Sequence, residues 1–335
     1  MEAQQKPHQT NGNVAEHSPA DQRPTPPTRD GHRYFADLDG LRALAVVPVI
    51  LYHAGAVWLP GGFVGVDVFF VLSGFFITRQ LSDELDAQRF SILRFYERRA
   101  RRILPALFAL LAVTAVASSI VLMPNDLVSF GKSLLATLAF VSNIHFWRDS
   151  GYFAQAADLK PLLHTWSLAV EEQFYIFFPL ALWAISRLYR KLTIPLFALT
   201  ALVSLALCVW GAYNATSVSF YMLPTRAWEL LVGALIALSP RPVWSAAWLH
   251  ALSAAGLSLV IGSMLLITDR TPFPGWAALF PVLGSGLLVL TSLSGGGVGN
   301  TALSKSPTVF VGQISYSLYL WHWPPLALAH YVLFR

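Results

Sequence analysis

The sequence predicts an all-α, polytopic integral membrane bundle of about nine or ten transmembrane helices, and three observations carry that expectation. Of 335 residues, 55% are hydrophobic and only 12% are charged, where soluble domains carry about 25% charged residues. Mean hydropathy is +0.53. Apolar runs also recur along the chain at the length, about 17 to 25 residues, that a helix needs to cross a bilayer.

Taken in order, residues 1–33 hold Pro7, Pro19, Pro24, Pro26 and Pro27 among Gln, Asn, Thr and charges. That composition cannot bury a core, so a disordered cytoplasmic tail is expected ahead of a membrane domain over 34–335. The tail has no apolar stretch with a small-residue cleavage site, and the first span is expected to direct insertion itself. Spans are expected near 39–58, 62–80, 103–123, 166–186, 192–211, 221–239, 247–267, 274–293 and 308–333. A tenth run, 128–147, is interrupted by Lys132, Ser142, Asn143 and His145, and reads as a short, tilted or re-entrant helix. Cys208 is the only cysteine, which leaves no internal disulfide or thiolate cluster.

Orientation follows from the arginines. RFSILRFYERRARRILP, read as the loop after the second span, sets Arg89, Arg94, Arg98, Arg99, Arg101 and Arg102 against one nearby acid, Glu97. The positive-inside rule makes that loop cytoplasmic. The N-terminus is then cytoplasmic too, and the turn around Trp58–Gly62 faces outward. Such a run is either topogenic, binding anionic headgroups, or an anion pocket for a phosphorylated cofactor, since Arg suits bidentate phosphate contacts. Arg98, Arg101 and Arg102 are expected to share one face of a short helix held at the interface by Pro105.

Within the first span, Arg42 and His53 are eleven residues apart. At about 100° and 1.5 Å per residue they share a helix face, roughly 16 Å apart along it. Ionisable groups at such depth mark a site by default, the plainer reading being a snorkelling Arg and a His bonded to a neighbouring helix. Asp67 follows across a hairpin turn; it either orients the His53 imidazole or fixes the hairpin, with Ser73 in support. His164, Glu171 and Glu172 flank the start of a later span, His164 and Glu171 seven residues apart on one face, with one of the two acids expected at the surface. Arg226 and Glu229, three apart, suit an internal ion pair, and Tyr316, Tyr319 and His322 recur at helical spacing in the last span.

FADLDGLRALAVVPVILYHAG, GGFVGVDVFFVLSGFFIT, FYERRARRILPAL, LLHTWSLAVEEQFYIFFPL, PTRAWELLVGAL and ISYSLYLWHWP together resemble, in order, the serial motifs of the acyltransferase family 3 membrane proteins. The resemblance covers Tyr34 to Arg335. It implies a helical bundle in the bacterial inner membrane that takes acetyl-CoA or another acyl-CoA from the cytoplasm. The acyl group goes to a hydroxyl of an envelope glycan or similar acceptor on the outer side. The family's Arg-x10-His motif falls on Arg42 and His53. Many relatives append a periplasmic SGNH domain after a further helix, so the resemblance leaves two expectations: a stand-alone member, or a domain that lies outside this sequence.

Acyl transfer to a hydroxyl needs a base and oxyanion donors. His53 is the best-placed base, since an imidazole titrates near neutral pH. Asp67 is its expected partner. Arg42 with Arg98, Arg99, Arg101 and Arg102 would hold the cofactor's phosphates, and His164, Glu171, Glu172, Arg226, Glu229, Tyr316, His322 and Ser73 would support the substrate. Direct attack by the acceptor and transient acylation of His53 both remain open. No metal is expected, because no HExxH or EF-hand pattern occurs, and Gly131-Lys132-Ser133 lacks the upstream glycine of a phosphate loop. The net charge of +5 sits beside membrane spans and gives no case for nucleic acid. The competing class is a transporter or flippase, in which the buried ionisable residues form a proton or substrate path.

Overall fold

Long apolar runs with few breakers become helices in lipid, because only a helix satisfies its own backbone without water. A computed structural model describes residues 28–29, 32–150 and 156–334. The chain divides at Phe35 into two units. In the first, Thr28–Arg29 pairs antiparallel with His32–Arg33; the rest of the expected disordered tail lies outside the described residues.

The second unit is helical. It begins with α1 (Ala36–His53), α2 (Gly65–Asp86) and α3 (Ile92–Val121), then α4 (Pro124–Leu138) and α5 (Ser142–Arg148). It continues through α6 (Thr165–Leu188), α7 (Thr193–Asn214), α8 (Thr216–Tyr221), α9 (Leu223–Leu238) and α10 (Ala246–Leu266). It ends with α11 (Leu279–Leu293), α12 (Val298–Leu303), α13 (Ser306–Gln313) and α14 (Ser315–Phe334).

Among the described residues, six helices are long and apolar enough to cross a membrane: α2, α3, α6, α7, α9 with its α8 lead-in, and α10. The other expected spans fall on α1, whose 18 residues include Asp37, Asp39 and Arg42, on the shorter α11, and on α14.

Two expectations about the spans are corrected. The arginine run is no loop: α3 starts at Ile92, capped by Ser91, and runs unbroken through Pro105 for 30 residues. Pro105, which has no N–H, leaves the carbonyl of Arg101 without its helical donor, and the helix continues past it. The 308–333 run is two helices, parted at Ile314. Gly312 lies so close to α1 that a Cβ there would meet the Asp39 carbonyl oxygen at 1.7 Å, so α13 packs on α1 instead of prolonging α14.

The 128–147 run breaks at Phe140, where φ is 54°. There Asn143 and Gln173 exchange amide hydrogen bonds of 3.3 and 2.8 Å, and Gln173 also donates to the Phe140 carbonyl at 3.0 Å. The interruption read from the sequence is therefore a polar joint between α4, α5 and α6.

The packing that positions the site is that of α2 on α9. A Cβ at Gly74 would fall 1.8 Å from the Leu230 oxygen, and one at Gly233 would fall 1.9 Å from the Val71 oxygen. Small residues at both crossings let the two backbones meet, as small-residue faces do between membrane helices.

Candidate active site

Two chambers lie inside the bundle, of about 140 and 70 Å³, and share Val66 and Tyr319 in their walls. The larger is lined by Arg42, Ser73, Arg99, Arg102, Glu171 and Tyr316, the smaller by His53, Asp67, His164 and Arg226.

α3 decides which arginines face the larger chamber. Arg99 and Arg102, three apart on one face, line it. Arg98 and Arg101 do not: Arg98 pairs with Glu84, and Arg101 meets Glu97 at 2.7 Å with its side chain 79% exposed. The expected shared face of Arg98, Arg101 and Arg102 is thus replaced by the Arg99–Arg102 face. Arg99 is fixed in place, its guanidinium 3.8 Å over the Tyr175 ring and 3.6 Å from Glu172. Arg42 comes from α1, 3.3 Å from Asp39 and 4.9 Å over the Phe76 ring.

The paired acids separate because adjacent helical residues point about 100° apart. Glu171 turns to the chamber and accepts a 2.7 Å hydrogen bond from Ser73, while Glu172 turns to Arg99. Neither is the surface residue expected of one of them, since both are only partly exposed. Tyr316 lines the same chamber and donates to the Ile103 carbonyl at 3.1 Å. α6 also joins the two chambers, for His164 precedes its first turn and Glu171 follows two turns on.

In the smaller chamber, His53 closes α1 and meets α14. Its Nδ1 lies 3.1 Å from Nε2 of His322, whose own Nδ1 lies 2.6 Å from the Tyr319 carbonyl. A carbonyl oxygen only accepts, so His322 Nδ1 carries a hydrogen, and in the neutral ring Nε2 is then the acceptor. That makes His53 Nδ1 the donor and leaves the lone pair of His53 Nε2 uncommitted. The two rings stack at 5.2 Å, and Trp323 meets His53 edge-on at 4.6 Å.

Asp67 shares this chamber but pairs elsewhere. Arg226 donates to it at 3.1 Å and approaches Glu229 at 3.0 Å, with all three side chains at most 1% exposed. The close α2–α9 crossing brings the guanidinium onto Asp67, and His322 already occupies the His53 nitrogen that Asp67 was expected to take. His164 is 3% exposed, and neither ring nitrogen has a hydrogen-bond partner. A buried polar group left in that state is uncommon and asks for a partner from outside the chain. Among the described residues no group of three His, Cys, Asp or Glu could hold a metal ion.

Sequence reasoning underweighted α14. Tyr319 bonds Ser167 at 2.6 Å and donates to the His164 carbonyl at 3.0 Å, standing between the chambers. Tyr175, the platform under Arg99, went unnoticed because an aromatic in an apolar run looks like packing. The spacing of Tyr319 and His322, three apart, was the available signal.

No solved structure matches the chain. It is 35% identical over 300 residues to BcsY of Komagataeibacter xylinus, provisionally named a membrane-bound transacylase, a match covering 89% of this chain and 74% of BcsY. It is 32% identical over 311 residues to the O-acetyltransferase OatA of Staphylococcus aureus strain NCTC 8325, covering 87% of this chain and 50% of OatA. The chain therefore spans about half the length of OatA. The model of an acyltransferase domain family, Acyl_transf_3, matches residues 35–335, and this integral membrane protein belongs to that acyltransferase family.

Proposed function

We propose that this chain is a membrane O-acyltransferase that uses acyl-CoA on the cytoplasmic side and acylates a hydroxyl of an envelope glycan, or a similar acceptor, on the outer side of the bacterial inner membrane. The observation that carries the reading is the adjacent pair of chambers that share Val66 and Tyr319 in their walls, three arginines lining one and His53 the other.

The residues suit such a donor. Arg42, Arg99 and Arg102 offer charge-assisted hydrogen bonds to phosphate oxygens, and Glu171 offers an acceptor for an amide N–H of the donor's arm. The thioester would then reach His53 past Tyr319. There Nε2 takes the acceptor's hydroxyl proton as its oxygen attacks the thioester carbonyl carbon. The carbonyl pair moves onto oxygen, and His164, which lines the smaller chamber, has one ring N–H to donate to that oxyanion. When the intermediate collapses, the C–S bond breaks and the thiolate takes the proton from His53. The buried Asp67–Arg226–Glu229 group acts as scaffold for this wall, since an ion pair so enclosed is costly to break. The name of OatA supports acetyl as the transferred group.

The test is the full chain in lipid nanodiscs with radiolabelled acetyl-CoA and candidate envelope glycans. The parent should yield acylated glycan and free CoA. His53→Ala, matched for expression and thermal unfolding, should lose about a hundredfold to ten-thousandfold in rate. Near-normal turnover by that variant would sink the assignment of the base.

A further inference from the structure

Away from both chambers, the ends of α2, α6, α7 and α9 surround a third cavity of about 750 Å³, sharing no lining residue with the other two. Its wall combines three features. Arg187, near the end of α6, and Arg190, in the turn before α7, bring positive charge. Arg187 makes no ion pair among the described residues, and Arg190 reaches Asp86 at only 3.5 Å, both exposed. Thr193 is the second feature: its residue is 6% exposed, and its buried hydroxyl has no hydrogen-bond partner. A hydroxyl buried without a partner is costly, which points to a polar atom supplied from outside the chain. Third, Trp183 begins an exposed apolar stripe on α6, followed at helical spacing by Leu180 and Ile176, at 41, 48 and 45% exposure.

We propose that this cavity is a site for an anionic phospholipid. The lipid phosphate sits between Arg187 and Arg190 and accepts from the Thr193 hydroxyl, while an acyl chain follows Trp183, Leu180 and Ile176 along α6. Charge and hydroxyl alone fit any phosphate. The stripe selects a membrane lipid, because a free anion has no use for an apolar path leading out of its site. The acyl donor of the arginine chamber is a poor candidate, since none of the three arginines assigned to it lines this cavity.

The experiment places the full chain in nanodiscs with equal phosphatidylglycerol and phosphatidylcholine, releases it, and counts the lipids retained by native mass spectrometry. The parent should keep phosphatidylglycerol selectively and hold it against excess inorganic phosphate. Arg187→Gln/Arg190→Gln should lower retention about tenfold or more, and Arg187→Lys/Arg190→Lys should recover much of it. Thr193→Val, which changes no charge, should also lower retention. Acetyl transfer and thermal unfolding of each variant report folding independently of the lipid count. Equal retention of the two lipids, variants that retain as the parent does, or displacement by inorganic phosphate would each overturn the proposal, the last by showing a free-anion site.

Discussion

An imidazole has two nitrogens, and which one is engaged decides what His53 can do. Its Nδ1 is held by His322, itself held by the Tyr319 carbonyl, so this short chain of hydrogen bonds leaves Nε2 open. On the proposed function, His322 is a positioning residue that acts through His53. His322→Ala should therefore lower kcat about tenfold to a thousandfold with little change in the donor KM, the range seen when a general base is left wrongly oriented or in the wrong tautomer. His322→Gln keeps an amide oxygen that can accept from Nδ1–H and should recover part of the loss. An equal loss in both variants, or a change confined to KM, would mean that His322 only packs. The Arg42 and His53 pair was legible from its spacing in the first span. The partner of His53 was not, because Asp67 and His322 stand respectively 14 and 269 residues away in sequence and only interhelical packing chooses between them.

The helix phase of α3 makes a sharper division than its composition. Arg99 and Arg102 line the larger chamber, while Arg98 and Arg101 hold Glu84 and Glu97 outside it. On the proposed function, Arg99→Ala/Arg102→Ala should weaken acetyl-CoA binding about tenfold or more, each lost contact being a charge-assisted hydrogen bond. Arg98→Ala/Arg101→Ala removes equal charge from exposed ion pairs that contribute little, and binding should stay within about twofold. Isothermal titration of the solubilised variants decides the matter, and equal effects of the two pairs would return the cluster to a topogenic role. The apolar runs were legible because length and composition suffice for a lipid-exposed helix. The continuation of α3 through Pro105 was not, since a proline marks a break in water but is tolerated where neighbouring groups satisfy the freed carbonyl. The break in 128–147 was legible through Asn143, whose amide needs partners in an apolar setting and finds them in Gln173 and Tyr221.

Across the whole molecule, a transporter and an acyltransferase would both bury ionisable residues inside a helical bundle, and membership of the acyltransferase family favours the second. The chambers suggest a further distinction. Their shared wall at Val66 and Tyr319 separates a space lined by Arg42, Arg99 and Arg102 from one lined by His53 and His164; on the proposed function the first binds phosphate and the second transfers the proton. Such a path suits a long donor that enters phosphate-last and delivers only its acyl end, while a transported solute would need comparable binding groups on both sides of the junction. In sealed vesicles with acetyl-CoA supplied only on the side of the α3 arginines, acylated acceptor should appear on the opposite side, and free CoA should stay where the donor was added. No imposed ion gradient should be required, because cleavage of the thioester drives the transfer. Passage of intact acetyl-CoA or unmodified glycan, with flux that follows an ion gradient, would replace the enzyme by a carrier and leave the helical architecture as it stands.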